Sequence, residues 1–94
     1  MELSQAAARY AILRKRNQMQ LEIDPELNQQ ALAEAAERYP EFAGRARTVK
    51  ALPLFRGYAW QVEWAETPPP AGQDAWEFQN AAIRAYKRLA SITG

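Results

Sequence analysis

The chain has 94 residues, 48% hydrophobic and 24% charged, with 12 Lys and Arg against 11 Asp and Glu. That is the length and composition of one ordinary globular domain, and a net charge of +1 gives no global pull toward nucleic acid or acidic lipid. With no Cys and no His, the usual zinc sites, Cys or His nucleophiles, haem ligation and disulfide frameworks are excluded.

Residues 3–17 read as a helix. Leu3, Ala6, Ala7, Tyr10 and Leu13 recur at helical spacing on one side. In residues 18–23 the period changes: Met19, Leu21 and Ile23 alternate with Gln20, Glu22 and Asp24. Alternation predicts a short strand, with a continued helix as the rival. Asp24-Pro25-Glu26 then predicts a helix start. Asp can accept bonds from free amides, Pro suits the first turn, and Glu suits the positive end of the dipole. This helix is expected to run to about Tyr39, before Pro40. Its apolar side is small: Leu27, Ala31, Leu32, Ala35, Ala36 and Tyr39.

Residues 41–52 admit two readings. Phe42, Ala46 and Val49 could line a short helix, but Gly44 and Thr48 favour a strand from about residue 46. Pro53 then needs an edge position. The clearest strand is 58–66, with Tyr58, Trp60, Val62 and Trp64 on one face. Arg56-Gly57 reads as the hairpin turn, with Gly at a positive φ.

Residues 67–73 hold three prolines and read as a stiff spacer within a single domain, 1–94. The last helix is predicted from Asp74 to about Ser91, with Asp74 and Glu77 spaced as a capping box. Its apolar arc spans about half the circumference, broken by Gln79. Trp76, Phe78, Ile83, Tyr86 and Leu89 are its expected contacts on the aromatic strand face. The fold class is therefore α+β: helix, short strand, helix, β-hairpin, then an amphipathic C-terminal helix packed on the sheet.

No apolar run approaches the ~18 residues of a membrane span. Met1-Glu2-Leu3-Ser4 does not open as a signal peptide. A cytoplasmic location without membrane contact is the expectation.

Catalytic parts are few. A general base would have to be a carboxylate, Lys or Tyr. Glu63 and Glu66 lie near the aromatic strand, but a spacing of three puts them on opposite faces. Four glycines form no phosphate-binding loop. The expectation is no catalytic, metal or cofactor site.

Binding is a better fit. If residues 58–66 lie outermost, their backbone groups offer an edge to a partner strand. Ala59, Gln61, Glu63 and Ala65 occupy the face away from the aromatics and carry no Lys or Pro to block pairing. This pattern points to a small non-enzymatic regulator or inhibitor that binds another protein or forms a homodimer. Small virus- or mobile-element-encoded inhibitors are often chains of this kind. The rival is nucleic-acid binding through Arg45, Arg47, Lys50 and Arg56, with Arg14, Lys15 and Arg16. Were residues 45–51 helical, the element order would be compatible with a winged helix-turn-helix.

Overall fold

The computed structural model describes residues 21–92. The helix expected at 3–17 lies outside the described residues, as do residues 18–20 of the expected strand. Over residues 21–23 no strand forms, although the Leu21 N–H donates to the Ala51 carbonyl at 2.9 Å. The Asp24 N–H is taken by the Tyr86 hydroxyl at 2.9 Å, which turns the chain into the first helix.

That helix, α1 (Pro25–Arg38), begins as its sequence dictates. The Asp24 carboxylate accepts from the amides of Glu26 and Leu27 at 2.9 and 3.0 Å. Tyr39 caps the other end, and Pro40–Phe42 form one 3-10 turn. Ala31 and Ala35 are buried, and Leu27, Leu32 and Ala36 pack beside them.

Residues 46–53 are extended, which decides for the strand reading of this segment. Strand β1 (Ala46–Pro53) pairs antiparallel with β2 (Tyr58–Trp64), a two-stranded sheet among the described residues. Val49 faces Val62 and Ala51 faces Trp60. Ala46 pairs with Trp64 and Thr48 with Glu63, so Arg47 is the extra residue of a bulge. Pro53 sits at the strand's end opposite Tyr58. Gly57 takes φ 79° in the turn, which the Leu54 N–H closes on the Gly57 carbonyl at 3.0 Å.

Helix α2 (Gln73–Leu89) lies across the aromatic face of this hairpin and also against α1. Its wide apolar arc is thereby used from two directions. Phe42, Trp64 and Phe78 form a three-ring cluster, with centroids 5.4 to 5.7 Å apart. Farther along, Trp60 meets Tyr86 at 6.0 Å. These pairs join α2 and the 3-10 turn to the sheet and supply most of the large core side chains.

Three local expectations fail. Gly72 is the N-cap of α2 and offers no side chain, so Asp74 lies inside the first turn and no capping box forms. Glu77 instead accepts from Gln73 Nε2 at 2.8 Å and the Tyr39 hydroxyl at 3.1 Å. Trp76 is 60% exposed because Ala75, beside it, takes the core position. Phe78, Ile83 and Tyr86 are buried as expected, with Leu89 partly so. The helix stops at Leu89 rather than Ser91. Ser91 has φ 58°, and the amides of Ser91 and Ile92 return to the carbonyls of Arg88 and Lys87. This is a Schellman ending with Ser in the left-handed position.

Candidate partner-binding surface

A two-stranded sheet has two edges, and both meet a helix side chain. On β1, Asn28 of α1 is buried with its Oδ1 accepting the Val49 N–H at 2.9 Å. Its Nδ2 donates to the Arg47 carbonyl at 3.4 Å. On β2, the Gln79 Oε1 accepts the Val62 N–H at 2.9 Å. Val49 and Val62 are opposite each other, so their amides point outward on the two edges at one level. A pair of side-chain amides grips the hairpin there from either side. The Leu21 amide adds a second contact to β1 at Ala51.

This arrangement changes the reading of the β2 edge. A partner strand added along 58–66 would have to displace Gln79 at Val62. Ala59, Gln61, Glu63 and Ala65 lie on the sheet face away from the core. The first three are half-buried and Ala65 is exposed. Lys50 is opposite Gln61, and Leu52 opposite Ala59. The Ala65 amide is bonded to the Arg45 carbonyl at 2.8 Å.

The basic segment is distributed rather than gathered. Arg45 forks onto Glu66, with Nε and Nη2 at 2.9 and 2.7 Å from its two oxygens. It also stacks over Phe42 at 5.3 Å. The guanidinium's hydrogen bonds hold the Glu66 carboxyl below its usual range, and the same bonds raise Arg45. Arg47, in the bulge, is 3.7 Å from Glu63. Arg56 sits in the turn at the far end. Arg14, Lys15 and Arg16 lie outside the described residues. A recognition helix over 45–51 is not present, since that segment is the first strand of the hairpin.

The hairpin tip is the conspicuous exposed surface. Phe55 is 97% exposed, Leu54 57% and Tyr58 43%. Arg56 stands among them. At the opposite end of β2, a groove of about 510 Å³ runs between the sheet and the proline segment. Gln61, Glu63, Pro69, Pro70 and Trp76 are among its walls.

The expected sequence signals for these features are uneven. Leu54-Phe55 is an apolar pair beside a turn and was legible as such only once the turn's limits were known. Gln79 was visible as a polar break in an apolar stripe. Asn28 gave no signal. Among the described residues, no group of three or more acidic side chains is arranged to hold a metal ion, and no helix is long and apolar enough to cross a membrane. Comparison with protein families, curated proteins and solved structures finds no match to this chain.

Proposed function

We propose that this chain is a non-enzymatic protein-interaction module, a small cytoplasmic regulator or inhibitor that engages another protein through its hairpin tip. The observation that carries this is the contiguous exposure of Leu54, Phe55 and Tyr58 around Arg56. Single exposed apolar residues are ordinary, but an aromatic cluster on a closed turn is not. Aromatic and Arg side chains are also the types that anchor protein interfaces. The turn is held by its own backbone bond and by the two amide grips below it. The tip therefore meets a partner with little conformational freedom left to lose.

Support for the tip is stronger than for strand addition, because Gln79 occupies the Val62 amide. It is also stronger than for phosphate binding, because Arg45 and Arg47 already face carboxylates.

The test is affinity capture from nuclease-treated host lysate at about 0.5 M salt, where phosphate contacts fail. The wild-type chain is run beside Phe55→Ser and Leu54→Ser. The expected result is one stoichiometric protein on the wild-type chain that is lost from both variants, with their thermal melts unchanged. Equal capture by all three would overturn the tip as the contact. Recovery of nucleic acid, abolished by charge reversal at Arg45 and Arg47, would overturn the protein-binding reading itself.

A further inference from the structure

A small groove, of about 230 Å³, lies on the seam between the two helices. The helices run antiparallel there, with Asp24 beside Tyr86 at one end and Tyr39 beside Glu77 at the other. Ala35 of α1 and Ala81 and Ala85 of α2 are buried and form its floor. Such small side chains let the helices approach closely and leave the space above them open. The remaining walls are Glu34, Arg38, Arg84 and Arg88, all exposed.

Three guanidiniums therefore stand around one carboxylate, a local charge of +2. Glu34 is taken by Arg88. Arg38 and Arg84 make no ion pair among the described residues. Glu77 feels the charge of Arg38, but its hydrogen bonds go to Gln73 and Tyr39.

Helix dipoles account for part of this arrangement. Arg38 and Arg88 lie in the last turns of their helices, where a cation is favourable. Arg84 does not. It sits one turn before Arg88 on the same helix, a spacing at which like charges repel. Its side chain is exposed, and Glu34 offsets only its neighbour. The cluster is one that an added anion completes.

We propose that this groove binds a doubly charged phosphate group, as a phosphate monoester carries, between Arg38, Arg84 and Arg88. The local charge of +2 matches that dianion. A guanidinium never loses its proton, and its fork fits two phosphate oxygens at once. A confined cluster suits a compact anion, whereas a nucleic-acid backbone needs cations spread along its length. The groove shares no residue with the hairpin tip, so the two readings fail independently.

The test titrates phenyl phosphate and dimethyl phosphate into the isotope-labelled full chain at constant ionic strength. At about pH 7.5 the monoester is a dianion and the diester carries one charge. Phenyl phosphate is expected to shift the amides of residues 34–38 and 81–88 saturably, and dimethyl phosphate to bind about tenfold more weakly. Arg38→Gln and Arg84→Gln are each expected to weaken phenyl phosphate about tenfold, the loss of one hydrogen bond to a charged group, with thermal melts near the parent. Glu34→Gln frees Arg88 and is expected to tighten binding severalfold. Absence of a saturable shift would overturn the proposal, as would equal binding of the two probes or unchanged affinity in both Arg variants. Shifts centred on residues 45–56 would move anion binding to the hairpin and overturn the groove. Weaker binding by Glu34→Gln would overturn the charge matching.

Discussion

Asn28 spends its whole side-chain amide on the neighbouring strand. Its carbonyl takes the Val49 amide, and its NH₂ reaches Arg47. A buried amide proton stripped of its acceptor costs about 1–3 kcal/mol, more than the bond itself contributes net. Asn28→Leu is therefore expected to destabilise the chain by about 2–3 kcal/mol in urea unfolding. Gln79→Leu removes the equivalent acceptor from Val62, in a hydrogen bond that is partly rather than fully buried. A smaller loss, about 1–2 kcal/mol, is expected there. Equal stability in both variants and the parent would refute the gripping role. Neither side chain announces this role alone. Asn28 falls in a helix where polar residues are common, and the reason for burying it lies about twenty residues away. Gln79 interrupts the row formed by Ala75, Ala82 and Tyr86, and that interruption is the legible half of the same device.

Elements were legible where one local rule governs them. Asp24-Pro25 starts α1 because capping involves only adjacent amides. The alternation of Tyr58, Trp60, Val62 and Trp64 gives β2 because one face must be buried. Gly57 marks the turn because its φ is positive. Legibility ended where two signals competed. Asp74 and Glu77 had capping-box spacing, yet Gly72 starts the helix and Glu77 turns to Tyr39. Trp76 had a core residue's chemistry, yet the first turn of α2 buries Ala75 in its place. The base of the hairpin shows a third case, in which Arg45 and Glu66 are 21 residues apart and meet only after the strands pair. Their pairing has a pH signature. The Glu66 carboxyl is held below the ordinary value of 4.5 by the Arg45 hydrogen bonds. A carboxyl lowered in the folded state adds stability above its unfolded pKa and loses it as pH falls through the folded one. Both groups are about two-fifths exposed, so the effect is small. Glu66→Gln is expected to melt slightly lower than the parent at neutral pH. The two curves should converge on acidification below about 4.5. A constant gap across that range would show that the charge contributes nothing.

At the scale of the molecule, the helices are brought together by small residues and held at the rim by charge. Ala31 and Ala35 of α1 and Ala81, Ala82 and Ala85 of α2 all belong to one core cluster. Arg88 pairs with Glu34 at its exposed margin. Enlarging a side chain at such a contact forces the backbones apart. Ala35→Leu is expected to cost about 1–3 kcal/mol, read as a lower urea midpoint. Phe55→Ser, by contrast, is expected to stay within about 0.5 kcal/mol of the parent, since it touches no packed surface. Stability and the proposed partner contact therefore occupy different ends of β2. The grips at Val49 and Val62 hold the strands from helices distant in sequence, whereas residues 54–57 close on themselves through one backbone bond. A peptide cut from residues 45–66 would carry the tip without either grip and would not keep its shape. The intact chain is expected to have the opposite property, accepting foreign sequence between Leu54 and Gly57 because the bonds at Val49 and Val62 lie outside that loop. It is, in architecture, a small cysteine-free frame for displaying a four-residue loop.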